Sequence, residues 1–241
     1  MNLEHISGTG LVRFNAINQK ALTIIQSTVF EIAKKGVEIN IDNIPLDDKG
    51  AYALLSAGML SNIKILDSKH YKAALTAIQP YQFEHLCAAI ALCHFPLSRG
   101  TIPHYAERKQ IPEMINDTYP ALESITAETY GLIIYQEQVM YIAQKIAGFS
   151  LAQGDLFRRA LKNSRQEVIS THKTDFINGA IKFGLPLQEA TNLFEHVAKY
   201  NRRTFNKSHA VAFAMTAYQT AWLKANYSQE FTNVRASLAA D

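Results

Sequence analysis

FNKSHAVAFAMTAYQTAWLKANYSQEF, running from Phe205 to Phe231, is the stretch that decides the fold class. After Ser208, the residues Ala210, Ala214, Ala217, Tyr218, Ala221, Trp222 and Ala225 return every three or four positions. That is the period of an α-helix with one buried face. Ser208 is of the type that caps such a helix by accepting from its first-turn N–H groups. A long, alanine-rich helix of this kind belongs in a helical bundle.

Working outward, similar patterns precede it. Gln188 to Tyr200 carries Ala190, Leu193, Phe194, Val197 and Ala198 at helical spacing, and Asp155 is placed to cap a helix reaching Lys162. Thr129 to Ala147 carries Leu132, Tyr135, Val139, Ile142, Ala143 and Ile146. Helices are also expected at Tyr71 to Ile78 and Gln82 to Cys93, and one after the turn Ile44-Pro45-Leu46-Asp47-Asp48, burying Tyr52 and Leu55. Gln19 to Lys35 reads as a helix with Leu22, Ile25, Val29, Ile32 and Ala33 inward and Gly36 as its stop. His94 to Pro120, with four prolines, reads as a long connection. Gly10 to Phe14 alone reads as a β-strand, and a lone strand needs a sheet from elsewhere. The expected class is therefore mainly α: a helical domain over 21–241, preceded by a β remnant of another domain over 1–20.

Composition sets the outer limits. With 48% hydrophobic and 19% charged residues, the chain can bury a sizeable core and is not compositionally disordered. A net charge of +3 excludes a purely electrostatic nucleic-acid binder, so the position of the charges matters more than their sum. Cys87 and Cys93 form no CxxC pair, which points to a reducing compartment. No secretory leader or membrane-spanning run is visible, and the expected location is the cytoplasm, with no membrane partner.

Two groups of residues have the chemistry to meet phosphate. Arg158, Arg159 and Lys162 share a broad helix face, and arginine holds phosphate oxygens through paired hydrogen bonds at any cellular pH. A solvated surface would use the same residues. Asn206, Lys207, Ser208 and His209 stand at the start of the long helix, where unpaired N–H groups favour anions. An ordinary capped helix would look alike. His85, Cys87, Cys93, His94 and His104 match no familiar zinc spacing and read as core. Glu137, between Gln136 and Gln138, suits either acid–base work or a hydrogen-bonded support. There is no Ser-His-Asp spacing and no P-loop.

Several stretches, in order, resemble the alpha subunit of bacterial DNA polymerase III, a family C DNA polymerase: IPLDD (Ile44 to Asp48), Gln79-Pro80, YGLIIYQEQVM (Tyr130 to Met140), DLFRRA (Asp155 to Ala160) and the FNKSH run. Leu11-Val12-Arg13-Phe14-Asn15 resembles its last catalytic strand, in which Lys-Phe-Asp is usual. The resemblance implies the end of a palm domain and most of a fingers domain. In such fingers, Arg158, Arg159, Lys207, Asn206, Ser208 and His209 would address the triphosphate of an incoming deoxynucleotide. Arg13, Lys20, Lys162, Arg202 and Arg203 would be further phosphate or DNA contacts. Primer–template DNA, other holoenzyme subunits or a separate palm chain are the implied partners, and Mg²⁺ is the metal of the intact family.

The departures are equally informative. Asn15 stands where the family has a catalytic aspartate, and a neutral amide lacks the charge that Mg²⁺ selects. Asn18-Gln19-Lys20, Lys64 to Ser68 and His94-Phe95-Pro96 replace other family patterns, and Arg202 and Thr204 replace glycines. Met1 is expected to fall inside a palm. The expectation is a degenerate, truncated copy that binds no metal of its own and cannot polymerise alone. A split polymerase completed by a separate palm, or a nucleotide- or DNA-binding module, are the alternatives.

Overall fold

The computed structural model describes residues 20–115, 119–163 and 166–240. The expected strand at Gly10 to Phe14, and with it Arg13 and Asn15, lies outside them. The described residues form twelve α-helices joined by short 3₁₀ turns, as the mainly α reading requires. Their one β-type pairing is an isolated parallel bridge between Tyr135 and Phe205.

The first layer starts with α1 (Lys20–Ala33), which buries Ala21, Ile24, Ile25, Thr28 and Ile32. Leu22, expected inward, is instead 52% exposed, because the buried stripe passes through Ile24. Gly36 then takes φ +81°, the left-handed geometry that ends the turn. In α2 (Lys49–Ser56), Asp48 is the N-cap, accepting from the Ala51 N–H at 2.7 Å, and Tyr52 and Leu55 are buried. Next come α3 (Lys69–Ile78), capped by Ser68, and α4 (Phe83–His94). Every residue of α4 from His85 to Cys93 is buried, so it runs through the centre of its layer.

The proline-rich stretch after α4 corrects the expected connection. Pro96–Thr101 is a 3₁₀ helix that leads into α5 (Ile102–Gln110), with proline at the start where its missing N–H costs nothing. After the short α6 (Glu123–Thr126), α7 is Gln136–Ala147 and begins seven residues later than its apolar pattern suggests. Leu132 and Tyr135 are buried from extended backbone instead.

In α8 (Leu151–Asn163) the cap is Ser150: its hydroxyl accepts from the Gln153 N–H at 3.3 Å while Gln153 Oε1 accepts from the Ser150 N–H at 2.8 Å. Asp155, expected as cap, lies inside the helix. The following α9 (Gln166–Lys182) was not expected, since few of its residues besides Phe176 and Ala180 reach the core. Last come α10 (Leu187–Asn201), α11 (Lys207–Asn226) and α12 (Ser228–Ala240).

Three cores result. One gathers α2, α3, α4 and the stretch of α11 from Ala210 to Ala221, with Tyr105 of α5. A second joins α7, α8, α9 and α10. A third seats Ile24, Ile25 and Ile32 of α1 against Leu223 and Phe231. The Tyr135–Phe205 bridge lies where the first two meet.

Candidate functional site

The polar triplet Gln136-Glu137-Gln138 at the head of α7 organises this junction. Gln138 is 2% exposed and fully engaged. Its Oε1 accepts from the Ile134 and Tyr135 N–H groups at 2.8 Å each, and its amide donates to Thr129 Oγ1 at 2.7 Å and the Ile125 carbonyl at 3.2 Å. That fixes the extended segment before α7. The bridge follows: Phe205 N–H donates to the Ile134 carbonyl and Gln136 N–H to the Phe205 carbonyl, both at 2.9 Å. With the backbone set, Gln136 and Glu137 project toward different helices.

Gln136 Oε1 accepts from Arg158 Nη1 at 3.1 Å. The same guanidinium donates from Nη2 to Asp155 Oδ1 at 2.7 Å, while Arg159 takes Oδ2 of that carboxylate at 2.8 Å. The Arg158 hydrogen bonds hold the Asp155 carboxyl below its ordinary value, with the Arg159 bond adding to this. The shared cationic face is thereby divided. Arg158 turns inward with its side chain 14% exposed and Arg159 outward at 67%. Lys162, on the next turn, places Nζ 5.0 Å from the Phe95 ring centre.

Glu137 reaches the start of α11. Its carboxylate accepts from Asn206 Nδ2 and from the Lys207 backbone N–H, each at 2.9 Å. Asn206, not Ser208, is the N-cap: its Oδ1 accepts from the His209 N–H at 2.9 Å. The preceding residue, Phe205, is locked in the bridge, which leaves Asn206 at the position facing the free N–H groups. Ser208 lies exposed on the first turn. Lys207 Nζ donates to both oxygens of Glu128, at 2.8 and 2.6 Å, above the Tyr135 ring. A cavity of about 430 Å³ opens here, lined by Ser124, Glu128, Tyr135, Glu137, Lys145 and Lys207.

Beside it, the Phe205 ring centre lies 4.2 Å from that of His94 and 6.2 Å from that of His209, both pairs tilted. Burial lowers the His94 pKa, and the neighbouring Lys162 and His209 lower it further. Arg158, Lys162, Asn206, Lys207 and His209 are thus brought to one junction, with Ser208 and Arg159 at its solvent edge.

Other expected contacts stand apart. Lys20 begins α1, which packs at the opposite end of α11, against Leu223. Arg202 ends α10 in right-handed backbone (φ −64°) and is exposed. Arg203 lies against Tyr200, its carbonyl accepting from the Ser98 hydroxyl at 2.7 Å. The buried Thr204 donates to the Asn201 carbonyl, and neither Arg202 nor Thr204, expected to replace glycines, adopts left-handed backbone.

The thiols of Cys87 and Cys93 are buried, which pushes them up to about 12 and about 11. His85 Nε2 meets the Tyr130 hydroxyl at 2.6 Å. Among the described residues, no three His, Cys, Asp or Glu side chains come together as a metal site. Sequence reasoning did not single out Glu128 or Asp155 as charge partners. Lys207 is separated from Glu128 by 79 positions, a distance no local pattern spans.

Comparisons with known proteins identify the family of the chain. The family model of the bacterial DNA polymerase III alpha subunit finger domain matches residues 21–184. DNA polymerase III subunit alpha of Caulobacter vibrioides is 37% identical over 237 residues, covering 98% of this chain and 21% of that protein. The Treponema pallidum subunit is 38% identical over 232 residues (95% and 20%), and that of Pseudomonas aeruginosa 36% over 249 (99% and 21%). The chain spans about a fifth of the length of these relatives. It belongs to the bacterial DNA polymerase III alpha subunit family, with residues 21–184 matching its finger domain.

Proposed function

We propose that this chain binds the triphosphate of a deoxynucleotide, and the phosphates of primer–template DNA, at the junction of α8 and α11, without transferring nucleotides by itself. One observation carries the reading. Gln136 and Glu137, neighbours in sequence, hold Arg158 on one side and Asn206 with the Lys207 backbone on the other. A fork-shaped guanidinium and a helix N-terminus are therefore held in fixed relation, which is how a multidentate phosphate site is pre-organised.

Nucleotidyl transfer through two metal ions needs several carboxylates around the metals. Asn15 offers an amide at the matching position. The described residues hold no converging set of three potential ligands, so they do not fit a magnesium pair. Other subunits of the replication machinery or a separate palm chain would be partners in DNA synthesis. A cytoplasmic setting fits the buried, unpaired thiols, and among the described residues no helix is long and apolar enough to cross a membrane. Titration with a labelled deoxynucleoside triphosphate and with primer–template DNA at low salt tests the binding reading, because phosphate contacts are strongest there. Saturable binding with no primer extension is the expected result. Absence of binding to either, or robust extension by the chain alone, contradicts it.

A further inference from the structure

We infer that Glu128 is a built-in competitor for the ammonium group of Lys207, a carboxylate latch that a polyanionic ligand displaces as it enters the cavity between α6, α7 and α11. The inference rests on the reading of Lys207 as a phosphate contact. Both Glu128 oxygens accept from Nζ, at 2.8 and 2.6 Å, in the positions two oxygens of a phosphate would take.

The backbones behind this pair are anchored and the side chains are not. Glu137 holds the Lys207 N–H at 2.9 Å. On the other side, Glu128 lies in the 3₁₀ turn Ala127–Thr129, which is followed by left-handed backbone at Tyr130 (φ 54°) and Gly131 (φ 76°). Thr129 Oγ1 accepts from the buried Gln138 amide at 2.7 Å, which fixes the turn. By contrast, the Lys207 and Glu128 side chains are 40% and 38% exposed. An ion pair so accessible to water contributes little to stability and opens readily.

The charges facing the cavity are Glu128 and Glu137 against Lys145 and Lys207, which balance. A monoanion replacing Glu128 exchanges one charge for another of equal size. A triphosphate makes the same exchange and keeps further charge for Lys145. The latch therefore lowers the affinity of the site by a fixed factor and leaves useful binding only to ligands of high charge.

The test is calorimetric titration of inorganic triphosphate into the wild-type chain, Glu128→Gln, Lys207→Met and the double variant, at low and high salt, with circular dichroism confirming the helical content of each. Glu128→Gln is expected to bind about three- to fivefold tighter at low salt. The gain should disappear in the Lys207→Met background, since the two residues act on each other, and should shrink as salt is added. Unchanged or weaker binding by Glu128→Gln, beside a wild-type chain that binds, overturns the latch and leaves the phosphate reading standing. A gain that persists without Lys207 also overturns it. Failure of all four proteins to bind overturns both.

Discussion

The Glu137 carboxylate on α7 accepts a hydrogen bond from the Asn206 side-chain amide at 2.9 Å, so the residue that caps α11 is itself held by another helix. Because Glu137 also takes the Lys207 N–H, one carboxylate orients both the cap and the first residue of the helix. It also places a negative charge at the positive pole of α11, a favourable position.

Replacing Glu137 with alanine removes a charged acceptor from two donors. The expected loss is about 2 kcal/mol, the range of hydrogen bonds to charged groups. For a chain of this size it corresponds to a fall of roughly 4–8 °C in the thermal midpoint, readable by circular dichroism. Triphosphate binding should weaken in parallel.

Gln138 presents a more severe case. Substituting leucine preserves much of the volume but leaves the Ile134 and Tyr135 N–H groups buried with no acceptor. Two such groups cost about 2–6 kcal/mol together, and a lower urea midpoint with an unchanged slope is the expected signature.

Gly179 marks where α9 crosses α7. A Cβ there would lie 2.1 Å from the Ala147 carbonyl oxygen, a backbone atom that cannot swing aside. Alanine gains about 1 kcal/mol of helix propensity, and overpacking of this kind costs about 1–3 kcal/mol. At so short a distance the clash wins, so Gly179→Ala should lower the urea midpoint.

His85 makes stability depend on pH. It is fully buried, and burial, with Lys109 adding to it, lowers its pKa from the ordinary 6.5 to about 4. Between those values the unfolded chain takes up a proton that the folded chain refuses, so stability rises with pH across that window. The contribution is complete above 6.5 and is lost as pH falls toward about 4, by on the order of 2–3 kcal/mol. Comparing urea midpoints of wild-type and His85→Phe across this range isolates the effect, and the variant should show the shallower dependence.

The helical class was legible because α10 and α11 bury residues whose spacing is written in the chain. Asp48 and Gly36 act at their helix ends as their chemistry predicts. The start of α7 was misread because Leu132 and Tyr135 are apolar for a different reason: they pack from an extended segment that Gln138 holds in place. The α11 cap was shifted by the bridge at Phe205, a tertiary contact. The cationic residues were found, but not their partners. Asp155 was read as a cap when it neutralises two arginines, and Glu128 arrives beside Lys207 only through folding.

The central claim is that this junction grips a triphosphate, and titrating a labelled deoxynucleoside triphosphate at low salt into the wild-type chain and Lys207→Met tests it most directly. Saturable wild-type binding that weakens about tenfold in the variant, as loss of one charged hydrogen-bonding group predicts, is the result expected. Equal affinity in the two folded proteins, or no binding by the wild-type chain, would contradict it.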